Sequence, residues 1–171
     1  MYSSIMVIGY GNPGRRDDGL GPALAAAVEQ LGLPGVTTDA DYQLTVEDAA
    51  AIAGHDCVIF ADAATAGPEP FDFQSIQPGG SETGFSSHSV EPAAVLTMAG
   101  DLFGASPQAF VLAIRGYEFD VFEERLSPEA VRNLTSAVEF VESWVRAGGQ
   151  AAAPGGTGRT CAAPSPALAR S

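Results

Sequence analysis

Two short runs, Ile5-Met6-Val7-Ile8 and Cys57-Val58-Ile59-Phe60-Ala61, are apolar at every position. A strand with no polar side to turn to water must be covered on both faces. Around these runs the chain alternates between strand and helix signals. Gly19 to Leu31 reads as an alanine-rich helix and Val36 to Ala40 as a short second strand. Thr45, with Asp48 three residues on, has the spacing of a capping box for a helix through Ala53. Phe71 to Ile76 alternates as a half-buried strand does, Val90 to Phe103 is helical, and Ala109 to Ile114 is another apolar strand. Ser127 caps a last helix with Pro128 at its first position and an apolar stripe of Val131, Leu134, Val138, Val141 and Val145.

This order predicts a three-layer α/β/α domain with a mostly parallel, mixed five-stranded sheet. Only about eight residues, Ala63 to Pro70, join the third strand to the fourth. A parallel crossover needs roughly a dozen or more, so the fourth strand is expected to run antiparallel. The loop from Gln77 to Ser87 then has to return the chain across the sheet, and an extended segment of that length reaches roughly 35 Å. Residues 1–147 are read as one domain. Residues 148–171 are rich in Ala, Gly and Pro and are expected to be disordered.

The net charge is −13, from 21 acidic residues against 8 arginines and no lysine. Such a surface repels nucleic acid and anionic lipid. No apolar run has the length of a membrane span, and Met1-Tyr2-Ser3-Ser4 lacks a signal peptide's basic region. The expectation is a cytoplasmic, soluble monomer. Of the two cysteines, Cys57 is read as a small core residue, and neither suggests a disulfide framework or a thiolate metal site.

After the first strand, Gly9-Tyr10-Gly11-Asn12-Pro13-Gly14 matches the dinucleotide fingerprint G-x-G-x-x-G. Its chemistry argues otherwise. Pro13 removes a phosphate-binding donor, and Asp17 and Asp18 stand where a pyrophosphate would lie. Gly11-Asn12-Pro13-Gly14 also resembles the start of bacterial peptidyl-tRNA hydrolases, but no histidine follows where that family carries its catalytic one.

Open α/β sheets keep their sites at the carboxyl ends of the strands. There the sequence offers Asp17 and Asp18 after the first strand, Asp62 after the third, and His88 before the Val90 helix. Asp17 is read as a solvated neighbour of Asp18, and His55 as an exposed loop residue. Two carboxylates and an imidazole suit a divalent transition metal with positions left open. No G-x-S-x-G elbow or H-E-x-x-H helix is present. Tyr117, Phe119 and Phe122 are read as packing or as the edge of a groove, and Trp144 as partly buried.

Ile8-Gly9-Tyr10-Gly11-Asn12, then Asp17-Asp18-Gly19-Leu20-Gly21, Phe60-Ala61-Asp62-Ala63 and Ser87-His88 together resemble the hydrogenase maturation endopeptidases, from about Met6 to Val145. The resemblance implies a nickel-dependent endopeptidase that removes the C-terminal extension of a [NiFe]-hydrogenase large subunit precursor. It puts the three metal-contacting and catalytic positions on Asp18, Asp62 and His88, with nickel supplied by the substrate. The family often has glutamate at the first of these. Gln43-Leu44-Thr45 resembles a variant found in the branch serving cytoplasmic bidirectional hydrogenases. The alternative from another class is a nickel-sensing module without hydrolytic activity.

Overall fold

The computed structural model describes residues 1–79 and 90–150. The strands are β1 (Ile5–Tyr10), β2 (Val36–Asp41), β3 (Cys57–Ala64), β4 (Phe71–Ile76) and β5 (Gln108–Arg115). The helices are α1 (Leu20–Leu31), α2 (Glu47–Ala53), α3 (Pro92–Phe103) and α4 (Pro128–Arg146). A 3-10 turn, Arg16–Gly19, precedes α1. The sheet order is β2-β1-β3-β5-β4. All pairs are parallel except β4 with β5, as the short β3–β4 connection requires.

The pleat explains the two all-apolar runs. Ile5, Val7, Cys57, Ile59 and Ala61 join one core cluster with side chains of α1 and α4. Met6, Ile8, Val58 and Phe60 join a second with side chains of α2 and α3. Each strand thus feeds both cores, and a polar residue at either parity would be buried without a partner. Cys57 is fully buried, and burial pushes its thiol up to about 12, so it is an inert core residue.

Three expectations need correction. β3 runs on to Ala64, so Asp62 lies within the strand rather than at its end. The sheet-facing line of α4 is Ala130, Asn133, Ala137, Val141 and Trp144, while Val131 is 47% exposed. The small Ala130 and Ala137 allow close approach to the sheet, and Leu134, Val138 and Val145 flank that line. Trp144 is buried, not half-exposed, with its ring edge-on to Phe73 and Phe110 at centroid distances of 5.5 and 5.1 Å. The Ser127 cap is as expected, its hydroxyl accepting from the Ala130 N–H at 3.3 Å. At α2 the Asp48 carboxylate accepts the Thr45 N–H at 2.7 Å, one half of the capping box.

Beyond α4, the Gly149 N–H donates to the Trp144 carbonyl at 2.9 Å, and a Cβ on Gly149 would lie 2.3 Å from the Tyr2 ring. Among the described residues no helix is long and apolar enough to cross a membrane.

Candidate active site

Glycine sets the floor of the site. A Cβ on Gly9 would stand 2.0 Å from the Gly21 carbonyl oxygen, and one on Gly21 would stand 2.4 and 2.5 Å from the carbonyl oxygens of Tyr10 and Ala61. The first turn of α1 therefore rests directly on the backbone of β1 and β3. Gly11 has φ 137°, a conformation that L side chains rarely adopt, and turns the chain out of β1.

The loop that follows is folded on its own carboxylate. Asp18 Oδ2 accepts the Asn12 N–H at 2.8 Å, and Asn12 Oδ1 accepts the Gly14 N–H at 2.9 Å. The N–H that a pyrophosphate would need is taken by Asp18, so the glycine pattern serves close backbone packing rather than a nucleotide. Arg15 and Arg16, the two cations that could have balanced a phosphate, are engaged elsewhere. Arg16 pairs with Glu118 and Glu123, and Arg15 donates to the Phe119 carbonyl.

Asp62 lies on β3 next to Tyr10 at the end of β1. Both side chains leave the sheet on the α2/α3 face, and the Tyr10 hydroxyl hydrogen-bonds the Asp62 carboxylate. Burial pushes the Asp62 carboxyl up to about 6, and the charge of Asp18 adds to the rise. The hydrogen bonds from Ala63 N–H, at 2.8 Å, and from Tyr10 oppose it without cancelling it. Burial likewise raises the Tyr10 phenol, aided by Asp62 and by Glu91 at the head of α3. The structure thus brings Asp18, Asp62 and Tyr10 to one carboxyl edge. A carboxyl titrating near neutrality beside a second carboxylate suits cation binding or proton transfer.

His88 and residues 80–89, including most of the expected return loop, lie outside the described residues. Among the described residues no cluster of three or more His, Cys, Asp or Glu side chains forms a metal-holding set. Two carboxylates by themselves suit a hard, oxygen-preferring cation, and a borderline transition metal would need nitrogen donors besides them. His55 sits at the opposite edge, half-buried, its Nδ1–H donating to the Ala51 carbonyl at 2.9 Å.

Asp17 overturns the sequence reading. It is fully buried, not solvated. Its carboxylate accepts from Tyr117 N–H (2.8 Å), Glu118 N–H (2.9 Å), Ser127 N–H (2.7 Å) and Ser127 Oγ–H (2.7 Å). Burial alone would raise its pKa, but these donors outweigh it and hold the carboxyl below its ordinary range. Two adjacent aspartates therefore serve opposite ends: Asp17 ties the 3-10 turn to the β5–α4 loop, and Asp18 faces the site edge. Sequence gave no sign of this, because the donors lie about a hundred residues downstream. Tyr10 stood in the sequence only as a variable position of the glycine motif, and nothing there marked it as a partner of Asp62.

No family model and no curated relative matches the chain at the sequence level. Solved structures do match. The [NiFe] hydrogenase maturation protease HycI from Thermococcus kodakarensis KOD1 superposes with a TM-score of 0.67 at 20% identity, covering 85% of this chain and 94% of that one. The hydrogenase maturating endopeptidase HybD from E. coli gives 0.65 at 19% identity, with the same coverages. A hydrogenase 2 maturation peptidase from a Thaumarchaeota archaeon gives 0.59 at 17%, over 86% and 99%. The chain shares the α/β fold of these proteases, and its own mixed five-stranded sheet is the one the sequence order implied.

Proposed function

We propose that this protein is an endopeptidase that removes the C-terminal extension of a [NiFe]-hydrogenase large subunit precursor once nickel has been inserted. The observation that carries this reading is the pairing of Asp18 with Asp62 at the carboxyl edge of a fold shared with such proteases. The nickel belongs to the substrate. Asp18 and Asp62 offer it carboxylate oxygens, and His88 completes the set. The place of Glu91 beside Tyr10 supports that assignment, because the segment carrying His88 leads into α3 there.

As a Lewis acid, the bound metal polarises the scissile carbonyl or a water molecule. This chain's part is to hold the precursor so that its cleavage site meets the two carboxylates. One of them takes the proton from the attacking water, and that proton is then available to the leaving amine. The Asn12 N–H fixes the Asp18 carboxylate, and the Tyr10 hydroxyl and Ala63 N–H fix that of Asp62, so neither needs reorganising when substrate arrives.

The direct test is incubation with nickel-loaded and nickel-free precursor, read by mass spectrometry. The expected result is one cut, in the loaded precursor only. Equal cutting of both forms, or none of either, refutes the proposal. His88→Ala is expected to abolish the cut.

A further inference from the structure

The loop between β5 and α4, residues 117–126, has no regular structure of its own and is built against the turn that carries Asp18. Arg16 N–H donates to the Glu123 carbonyl and Asp17 N–H to the Glu118 carbonyl, both at 3.0 Å. Asp17 takes the N–H groups at the loop's start and the Ser127 groups at its end. Arg16 pairs with Glu118 and Glu123, and Arg15 lies over the Phe122 ring at 5.9 Å. At its root the Gly116 N–H donates to the Ala64 carbonyl at 2.9 Å, two residues past Asp62 on β3. Such a loop is preformed, so a partner meets it without an ordering cost.

What it presents outward is unusual for an isolated surface. Phe119 turns inward towards Gly116, but Phe122 is 84% exposed and Val121 50%. Four carboxylates stand on the loop. Glu118 and Glu123 share Arg16, and Glu123 also pairs with Arg125 of the same loop at 3.5 Å, whereas Asp120 and Glu124 take part in no ion pair among the described residues. An exposed aromatic on a fixed loop, bordered by uncompensated acids at the edge of a site, is the surface of a docking element.

We propose that loop 117–126 is the docking element for the precursor, receiving an apolar side chain of a cationic segment on Val121 and Phe122 while Asp120 and Glu124 take its positive charges. The charge sign selects this occupant: a chain of net charge −13 repels a second copy of itself at an acidic face. The proposal rests on the function given above and adds where the substrate is held.

The test is the binding constant of the nickel-loaded precursor, by calorimetry at two salt concentrations, for the wild type, Phe122→Ser and the pair Asp120→Asn/Glu124→Gln. Melting midpoints and sedimentation accompany each. Phe122→Ser is expected to weaken binding by about tenfold with an unchanged midpoint, because its side chain is exposed. The double variant should bind several-fold more weakly and lose part of the salt dependence. Unchanged binding by Phe122→Ser overturns the proposal. So does a wild-type dimer that Phe122→Ser disperses. Cutting is read separately. A wild type that binds precursor without cutting it refutes the proposed function, and the docking proposal is then judged on the binding constants. A wild type that binds no precursor refutes both.

Discussion

The hydroxyl of Ser127, which caps α4, donates at 2.7 Å to the buried carboxylate of Asp17, which sits in the turn before α1. One side chain thereby joins the heads of two helices that cover the same sheet face.

Asp17→Asn keeps the shape but offers one acceptor oxygen where two accept four hydrogen bonds. Buried donors left facing an amide NH2 cost about 2–3 kcal/mol. For a domain of this size that is a fall in melting midpoint of roughly 6 °C. The wild type also gains a pH dependence. The folded pKa of Asp17 lies below its unfolded value, so its contribution is present above the unfolded pKa and is lost as pH falls through the folded one. Melting curves from neutral to acid pH check this: the gap between wild type and variant should close in acid. A constant gap would show that the carboxylate's charge has no part in it.

Asp62 carries the opposite sign. Its folded pKa of about 6 lies above the unfolded value, so the group stabilises the fold at low pH and loses that contribution as pH rises through about 6. In the metal-free protein, Asp62→Asn is therefore expected to raise stability at pH 7 by about 1–2 kcal/mol, given partial solvent screening. At pH 4 it should change little. Processing should be lost at both. A variant less stable than the wild type at pH 7 would contradict the raised pKa.

The sheet was legible because its signals are local. Apolar runs mark β1, β3 and β5, and the short β3–β4 connection decides the direction of β4. Asp62 was marked for the same reason, but as the end of an apolar run; the strand in fact continues to Ala64 because its pairing with β5 carries on past the apolar stretch. The burial of Asp17 was not legible, because it is decided by N–H groups of Tyr117, Glu118 and Ser127, which sequence spacing cannot bring near it. The facing side of α4 was misread at Val131 because a hydropathy stripe rewards β-branched residues, whereas close helix–sheet contact selected Ala130 and Ala137. Gly9 and Gly11 matched a nucleotide motif because two different sites need the same thing, a backbone with no Cβ in the way.

Gly21 tests that last point. An added Cβ would meet the carbonyl oxygens of both Tyr10 and Ala61, with no flexible side chain able to yield. Gly21→Ala is expected to lift α1 from the strands and to cost about 3 kcal/mol or more. Gly32→Ala, at the C-cap of α1 with φ 58°, is the contrast, since a Cβ there meets nothing within 4 Å and only the left-handed backbone is strained. It should cost only about 1 kcal/mol. Equal losses in denaturant titrations would mean that close packing is not what the glycine provides.

Asp18→Asn separates the two uses of the opening loop. The amide oxygen can still accept the Asn12 N–H, so the turn is expected to survive and the melting midpoint to move little. What is lost is a negative charge facing Asp62, and with it a carboxylate for the precursor's nickel. Docking of the loaded precursor should weaken by at least about tenfold, or ~1.4 kcal/mol, while binding of the nickel-free form is unchanged. The nucleotide reading predicts the opposite sign, since removing a carboxylate beside Gly11 to Gly14 relieves repulsion of a pyrophosphate. Titrating wild type and variant by calorimetry with NAD and with both precursor forms decides between them. The expected outcome is no NAD binding by either protein and a loss confined to the loaded precursor. Tighter NAD binding by Asp18→Asn with precursor processing intact would overturn the protease reading.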